Sequence, residues 1–232
     1  MKVAVLGGNG FMGRYFLSVH DDWHGITRHD VDLMDQGAVE LFLKRSNFDV
    51  IIHCAVLGGS MLKKETGDVT HSNILMFENV HRVFKGKLIY ISSGASILGN
   101  PPTKPYGLSK WIIEKRIRQI PDAYTLRVFG CYGSGDGSSV YRDRFKSICK
   151  RDGHITIDKD KYFDMIDVED VRRVVYDYVC NVRCEKEIDL VYEKKMLLSE
   201  WATFFGATYD IVDNTSLDTP YISYGDRTRL SN

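Results

Sequence analysis

The sequence predicts an α/β fold, a doubly wound parallel sheet followed by a small, reduced C-terminal region. Two observations support this prediction. Between Lys2 and Phe129, segments rich in β-branched and aliphatic residues alternate with helix-like stretches, a pattern typical of βαβ units whose sheet is covered on both faces. A cluster of glycines also separates the first apolar segment from the first helix-like one. The 232 residues are enough for one such domain and a smaller appendage.

The first elements follow from short apolar and amphipathic runs. Lys2–Leu6 is predicted to be a strand and Phe11–His20 a helix. Gly25–Arg28 is predicted to be a short second strand. Gln36–Ser46 is predicted to be a helix, and Asp35 stands where a side chain can cap its first N–H groups.

The middle of the chain continues the alternation. Asp49–Ala55 and Lys87–Ser92 are apolar runs of the kind found in strands that are buried on both faces. His71–Val83 and Tyr106–Gln119 are predicted to be helices, and a proline ends the second of them. Ala123–Phe129 is predicted to be a further strand, which completes the doubly wound sheet.

A domain boundary is predicted after Phe129, where the sequence becomes a loop rich in glycine and serine. Beyond it, Arg142–Lys150 and Val168–Cys180 are predicted to be helices. The tail from Glu187 onward is aromatic and polar, and its periodicity is weak. We therefore predict a small, reduced region after this boundary.

Composition and charge exclude several classes of function. The 31 Lys and Arg residues balance 31 Asp and Glu residues, which argues against binding of nucleic acid or of an anionic membrane surface. No apolar run approaches the roughly 20 residues that span a bilayer. The five cysteines form no Cys-x-x-Cys pair or Cys/His cluster, so we expect no metal site. Free thiols favour a reducing compartment, and we expect a cytoplasmic protein with a small-molecule partner.

The glycine cluster between the first strand and the first helix predicts a dinucleotide site. Glycines stand at positions one, four and seven of the motif, where they allow a sharp turn and bring backbone N–H groups against a pyrophosphate. Tight turns also use glycine, but the position directly after an apolar strand favours the dinucleotide. The candidate cofactor-binding residues of the motif are Gly7, Gly10, Phe11, Met12 and Gly13.

The end of the second strand bears on the choice of cofactor. An acid there accepts from the ribose 2′-OH of NAD, whereas an arginine suits the 2′-phosphate of NADP. Arg28 stands at this position and favours NADP(H). NAD(H) stays possible because Asp30 follows two residues later.

A tyrosine and a lysine four residues apart begin the fourth helix. Residues at this spacing share a helix face, so we expect the Lys110 ammonium to lie near the Tyr106 phenol and to lower its pKa. Upstream, a predicted strand ends at Ser92 and Ser93, at the sheet edge where α/β proteins bind ligands. The sequence therefore predicts a site for proton transfer at Tyr106 and Lys110, and the two serines belong either to this site or to an ordinary turn.

Taken together, these motifs resemble the extended short-chain dehydrogenases/reductases that act on nucleotide sugars. The resemblance rests on the glycine motif, on the Tyr/Lys pair and on four segments: Asp49–Ala55, Ile91–Ser93, Leu126–Gly133 and Tyr162–Asp170. Within the family, the chain is most similar to 4-keto-6-deoxyhexose reductases such as GDP-fucose synthase. This implies a Rossmann NAD(P)-binding domain over 1–130 and 162–182, and a small substrate-binding region over 131–161 and 183–232.

The resemblance also implies roles for individual residues. Tyr106 would donate a proton to the sugar C4 oxygen, Ser93 would hydrogen-bond the same oxygen, and Lys110 would hold the nicotinamide ribose. Ala55 would lie against the cofactor, and Asn73 would support the lysine through a water. The candidates for the substrate diphosphate are Arg142, Arg144 and Arg227. A homodimer formed through the third and fourth helices is expected.

The implied activity is an NADP(H)-dependent reduction at C4 of a nucleotide-linked 4-keto-6-deoxy sugar. Two alternatives stay open: an NAD-dependent 4-epimerase that uses the same three residues, and a dinucleotide-binding paralogue without turnover. Epimerisation at C3 and C5 is not expected, because Ala95 stands where GDP-fucose synthase has a cysteine. Dehydration is not expected either, because no acid follows Ser93 directly.

Overall fold

The computed structural model describes residues 1–59, 65–133 and 144–224, and the backbone of 229–230. It divides the chain into two compact units. The first unit consists of Met1–Arg127 and Arg172–Ile188, and the second of Val128–Val171 and Asp189–Asn232. That the second unit binds substrate stays a prediction.

The elements alternate between strand and helix through the first unit. In chain order they are β1 (Val3–Leu6), α1 (Phe11–Val19), β2 (His24–Ile26), α2 (Gln36–Ser46), β3 (Val50–His53), α3 (Asp68–Val83), β4 (Lys87–Ser93), a short 3-10 helix (Gly94–Ile97), α4 (Pro105–Ile117) and β5 (Ala123–Val128). The remaining elements are β6 (Gly130–Tyr132), α5 (Phe145–Asp152), β7 (His154–Lys159), β8 (Met165–Asp167), α6 (Val168–Val179), β9 (Glu187–Tyr192), α7 (Leu198–Phe204), β10 (Thr208–Asp213) and β11 (Arg229–Leu230).

The predicted fold class is confirmed. The strands of the main sheet lie in the order β9-β5-β4-β3-β1-β2, and β9 continues into the second unit, where its end pairs with β11. β1 pairs in parallel with β2 on one side and with β3 on the other. The strand order therefore reverses at β1, and in such sheets ligands bind beyond the carboxyl ends of the strands at that point.

Burial of the strands on both faces accounts for their unbroken apolar sequences. All four residues of β1 and of β3 are buried, and so are all seven of β4. Phe77 of α3 and Ile113 of α4 are 0% and 1% exposed and pack in the same core. Each such side chain contributes about 1.5–3 kcal/mol to stability. This core therefore fixes the positions of α3 and α4 relative to the sheet.

The helix boundaries follow local capping. The Asp35 side chain accepts a hydrogen bond from the Ala38 N–H at 3.0 Å, as predicted, and α2 ends at Asn47 in the left-handed conformation. The second strand is shorter than predicted and stops at Ile26. The reason is that the Asp30 carboxylate accepts from both the N–H and the hydroxyl of Thr27, which closes a turn there.

The second unit contains strands, helices and an apolar cluster of its own. β7 pairs with β10 and β6 pairs with β8, both in parallel. Trp201 and Phe205, from α7 and its end, pack with Phe163 in an apolar cluster, and the Trp201 indole donates to the Phe163 carbonyl at 2.7 Å. These elements lie where the periodicity of the sequence is weak. The predicted helix at Arg142 begins instead at Phe145, and residues 134–143 lie outside the described residues.

Two features are absent from the described residues. None of the described helices combines the length and apolar character needed to cross a bilayer. In the same part of the chain, no group of three His, Cys, Asp or Glu side chains is placed to hold a metal ion.

Candidate active site

The glycine motif forms a tight turn between β1 and α1. The N–H groups of Gly7 and Gly8 both donate to the Ile26 carbonyl, at 2.9 and 3.1 Å, and Gly10 caps the helix without a side chain. A Cβ on Gly13 would lie 2.4 Å from the Gly7 oxygen. A Cβ on Gly7, whose φ is +83°, would lie 2.7 Å from the Ala55 nitrogen. The turn therefore needs glycine at these two positions.

The loop after β2 carries Arg28 and Asp30, the two residues that bear on the choice between NADP(H) and NAD(H), and their side chains differ in how firmly they are held. The Asp30 carboxylate accepts from the Thr27 N–H at 2.8 Å and from its hydroxyl at 2.7 Å, and these bonds lower the pKa of Asp30. The Arg28 side chain is 83% exposed and makes a surface ion pair with Asp32 at 3.1 Å. Exposed pairs of this kind contribute at most about 1 kcal/mol. The carboxylate is thus held within its own turn, whereas the guanidinium can turn toward a ligand at little cost.

The structure brings Ser93, Tyr106 and Lys110 together. Ser93 is the last residue of β4, and Tyr106 lies in the first turn of α4. The side chains of Ser93 and Tyr106 are hydrogen-bonded. The Lys110 ammonium donates to the Ile91 carbonyl at 2.7 Å and lies 5.6 Å from the centre of the Tyr106 ring.

Burial, rather than the neighbouring lysine, controls the charges of this group. Burial lowers the pKa of Lys110 to about 7, against the opposite effects of Cys54 and Glu114. Burial also raises the pKa of Tyr106 to about 12, although the hydrogen bond with Ser93 acts in the other direction. The prediction that Lys110 lowers the pKa of Tyr106 is therefore wrong for this structure. At neutral pH the phenol keeps its proton, which is the form needed to donate to a carbonyl oxygen.

Asn73 fixes the loop that follows β3. Its side-chain oxygen accepts from the Leu57 N–H at 2.8 Å, and its amide donates to the Leu57 carbonyl and to the Ser109 hydroxyl, both at 3.0 Å. Ser109 in turn donates to the Tyr106 carbonyl at 2.7 Å. Asn73 thus links the loop to the first turns of α4. Water-mediated support of Lys110 by Asn73 stays a prediction.

A glutamate that sequence reasoning missed joins the same loop to Tyr106. The Glu65 carboxylate accepts from the Gly59 N–H at 2.7 Å and from the Tyr106 N–H at 3.0 Å. Gly59 has a φ of +80°, and a Cβ there would lie 2.9 Å from the Tyr106 ring. The loop therefore lies directly against the ring. The signal in the sequence was the pair Gly58-Gly59, which allows this close approach.

Of the three arginines predicted to bind a diphosphate, one can be described. The Arg144 guanidinium donates to the Cys131 carbonyl within the second unit. Arg142 and Arg227 lie outside the described residues. A role for these arginines in binding substrate stays a prediction.

Comparison with known proteins adds family information to this geometry. Residues 3–185 match the model of the NAD dependent epimerase/dehydratase family. The chain is 27% identical to the UDP-glucose 4-epimerase of Homo sapiens over 192 residues, which are 58% of this chain and 55% of that protein. It thus spans a little over half the length of the curated relatives that it matches.

Two solved structures show the same fold. One is a dTDP-4-dehydrorhamnose reductase from Bacillus anthracis in complex with NADP, with a TM-score of 0.82, 18% identity, and coverage of 98% of this chain and 90% of that one. The other is a GDP-L-fucose synthetase from Naegleria fowleri bound to NADP, with a TM-score of 0.74, 15% identity, and coverage of 99% and 84%. At these identities the likeness establishes the fold.

Proposed function

Because the chain belongs to the NAD dependent epimerase/dehydratase family, we propose that it is an NADP(H)-dependent reductase of a nucleotide-linked 4-keto-6-deoxy sugar. The observation that carries this proposal is the contact between Ser93 and a protonated Tyr106, with Lys110 in the next helical turn. Such a group can deliver a proton to a ketone oxygen at neutral pH. The name of one structural neighbour, a dTDP-4-dehydrorhamnose reductase in complex with NADP, suggests the substrate class.

The turn after β1 fits a dinucleotide. A Cβ at Gly7 or Gly13 would fill the close approach between the turn, α1 and the end of β3. This leaves backbone N–H groups at the positive end of a helix dipole, where a pyrophosphate is stabilised. Gly10, Phe11 and Met12 would border the pyrophosphate, with Ala55 on the side of β3. When bound, the nicotinamide supplies the hydride.

Tyr106, Ser93 and Lys110 would then divide the remaining work. The reduction of a ketone needs a hydride at carbon and a proton at oxygen, and Tyr106 holds that proton. Ser93 already contacts the phenol, so both hydroxyls can converge on one carbonyl oxygen. The Lys110 ammonium would stabilise the phenolate that remains after transfer and would hold the nicotinamide ribose.

The other proposed contacts concern the substrate and the assembly. Arg142, Arg144 and Arg227 would bind the diphosphate of the sugar nucleotide. The second unit, which carries all three, would be the substrate-binding region. A homodimer formed through α3 and α4 completes the proposal.

A 4-epimerase is the second candidate, because the curated relatives are UDP-glucose 4-epimerases. Such an enzyme would oxidise and re-reduce C4 with the same three side chains. The two functions differ in their relation to the cofactor. A reductase consumes NADPH, whereas a 4-epimerase regenerates the NAD that it uses.

The experiment that separates them combines binding with turnover. The purified protein is analysed for any nucleotide that co-purifies, and it is then titrated with NADPH and NADH by fluorescence. Next, NADPH oxidation is followed with a panel of nucleotide-linked 4-keto-6-deoxy sugars. Preference for NADPH and substrate-dependent oxidation support the reductase. Tightly bound NAD and interconversion of C4 epimers without net oxidation identify the epimerase, and binding of neither cofactor contradicts both.

Replacing Arg28 with Ala is expected to weaken NADPH binding by about 10-fold or more, the usual effect of losing a charge-assisted hydrogen bond to phosphate. NADH has no 2′-phosphate, so its Kd is expected to stay within about twofold. Fluorescence titration of both cofactors measures the difference. Arg45→Ala, an exposed arginine on α2, is the control. Equal losses for both cofactors in the Arg28 variant would show that Arg28 does not read the phosphate.

The affinity for NADPH is expected to fall as the pH rises through about 7. The pKa of Lys110, lowered to about 7 by burial, means that its ammonium is charged below this pH and neutral above it. Fluorescence titrations across this range measure the change. The variant Lys110→Met removes the protein's contribution and leaves only that of the cofactor's own phosphate. Identical profiles for the two proteins would contradict a role for the ammonium in binding.

A further inference from the structure

A buried ion pair links the strand after α4 to α4 itself. The side chains of Arg127, on β5, and Glu114, on α4, are each 2% exposed. The guanidinium donates to both carboxylate oxygens, at 2.7 and 3.2 Å. Burial of two charges costs several kcal/mol per ion unless the geometry and the further hydrogen bonds are good. This pair meets both conditions.

A second carboxylate completes the charge balance. Glu187 accepts from Arg127 at 2.6 Å and from two nitrogens of Arg118 at 2.9 and 3.1 Å. Burial would raise the pKa of Glu187, but the bonds from the two arginines bring it down to about 2. Two arginines thus face two carboxylates, and the cluster carries no net charge.

The cluster is bonded to residues on either side of Ser93. The Ser92 hydroxyl donates to the Glu114 carboxylate, and Arg127 donates to the Ser96 hydroxyl at 3.0 Å. Ser92 and Ser96 are 3% and 0% exposed. Ser93 itself caps the 3-10 helix that contains Ser96, since its hydroxyl accepts from the Ala95 N–H at 3.2 Å. The cluster therefore holds the backbone before and after Ser93.

The other end of the cluster holds the helix that carries the proton donor. Glu114 lies one turn beyond Lys110 and two turns beyond Tyr106 on α4. A hydrophobic pair of similar volume would fill the same space with comparable or greater stability. It would not fix the distance between Ser93 and α4, because apolar contacts are not directional. The directional hydrogen bonds of the cluster therefore indicate that the position of Ser93 relative to α4 has to be fixed.

We propose that Arg127 and Glu114 are positioning residues that set the separation between Ser93 on β4 and the Tyr106/Lys110 face of α4. This inference rests on the proposed function, in which Ser93 and Tyr106 converge on one oxygen. A displacement of about 1 Å between such groups lowers a rate by up to about 100-fold. Neither positioning residue takes part in the transfer itself.

Glu114 also acts on the charge of Lys110. Among the described residues, the titratable side chains that face or influence that ammonium include Cys54, Glu114, His53, Tyr90 and Tyr106. The Glu114 carboxylate raises the pKa of Lys110, against the larger effect of burial. Its loss is therefore expected to shift the titration of Lys110 to lower pH. This shift reports that the Glu114 charge reaches Lys110, whereas a loss of kcat with unchanged cofactor affinity at low pH reports the positioning itself.

The test is the double variant Glu114→Gln/Arg127→Met, which removes both charges and leaves no unpaired ion between them. We expect kcat to fall by about 10-fold or more. The pH at which NADPH affinity declines is expected to fall, because the Glu114 carboxylate raises the pKa of Lys110. At low pH, where Lys110 is charged, the Kd for NADPH should stay within about twofold. The control Glu40→Gln/Lys44→Met removes an exposed ion pair of α2 and should change none of these values.

An unchanged kcat and an unchanged pH profile in a folded double variant would overturn the proposal and leave the cluster a structural role only. If the double variant does not fold, Glu114→Gln alone keeps the shape of the side chain and removes its charge. The single variant is then expected to lower kcat by about 10-fold and to leave the Kd for NADPH at low pH within about twofold, and an unchanged kcat overturns the proposal.

Failure of the proposed function would have a different signature. In that case the wild-type protein would reduce no 4-keto sugar. The pH profile of NADPH binding, referred to Lys110→Met, would still report whether the cluster controls the lysine. The two failures are therefore distinguished by a measurement on binding alone.

Discussion

Replacing Tyr106 with Phe is expected to lower kcat by about 1,000-fold while leaving the Kd for NADPH within about twofold. The substitution removes the phenol oxygen and with it the proton to be donated. Burial raises the pKa of this phenol to about 12, so the wild-type tyrosine carries the proton at neutral pH. The ring remains, so the contact with the loop at Gly59 is retained. Steady-state rates with a 4-keto sugar and fluorescence titration with NADPH measure the two quantities.

The control is Tyr209→Phe, on β10, whose side chain is 38% exposed. It should leave both kcat and Kd unchanged. If Tyr106→Phe kept about a tenth of the wild-type kcat or more, another group would have to supply the proton. Ser93 is the nearest such group, and the double variant with Ser93→Ala would then identify it.

Replacing Gly13 with Ala is expected to weaken the binding of NADPH and NADH alike, by about 100-fold. The added methyl group would lie 2.4 Å from the Gly7 oxygen and 3.0 Å from the Gly8 Cα. Backbone atoms cannot turn aside as side chains can, so the turn that is proposed to hold the pyrophosphate must open. Fluorescence titration of both cofactors measures the loss, and thermal unfolding reports any general destabilisation.

Gly37→Ala is the matched control, because a Cβ there would meet only an Asp35 oxygen, at 3.5 Å. Within a helix, Ala is more favourable than Gly by about 1 kcal/mol, so this variant should be at least as stable as the wild type. Cofactor affinity should be unchanged in the control. If Gly13→Ala bound both cofactors like the wild type, the turn after β1 would not be the dinucleotide site.

Those parts of the site that depend on local sequence were predictable. The glycine motif could be recognised from the sequence because only glycine fits at Gly7 and Gly13, where backbone atoms come too close for a side chain. The four-residue spacing of Tyr106 and Lys110 fixes their shared helix face. The position of Ser93 followed from the end of an apolar strand, and the cap at Asp35 from its place before a helix.

The parts that depend on distant contacts were not predictable. Glu65 meets Tyr106 across 41 positions of sequence, and Arg127 meets Glu187 across 60. The predicted direction of the Tyr106 pKa shift was wrong, because a sequence shows that a lysine is nearby but does not show that the phenol is buried. In the second unit, α7 has only seven residues, so its few apolar positions were not enough to predict a packed helix from the sequence.

The central claim is that this chain delivers hydride and proton to C4 of a nucleotide-linked keto sugar. The most direct measurement uses NADPH labelled with deuterium at nicotinamide C4, a nucleotide-linked 4-keto-6-deoxy sugar, and analysis of the product by mass spectrometry and NMR. We expect one deuterium at sugar C4 for each NADPH oxidised, and formation of this product about 1,000-fold more slowly with Tyr106→Phe. A reduced product without deuterium at C4, or oxidation of NADPH without reduction of the sugar, would contradict the claim.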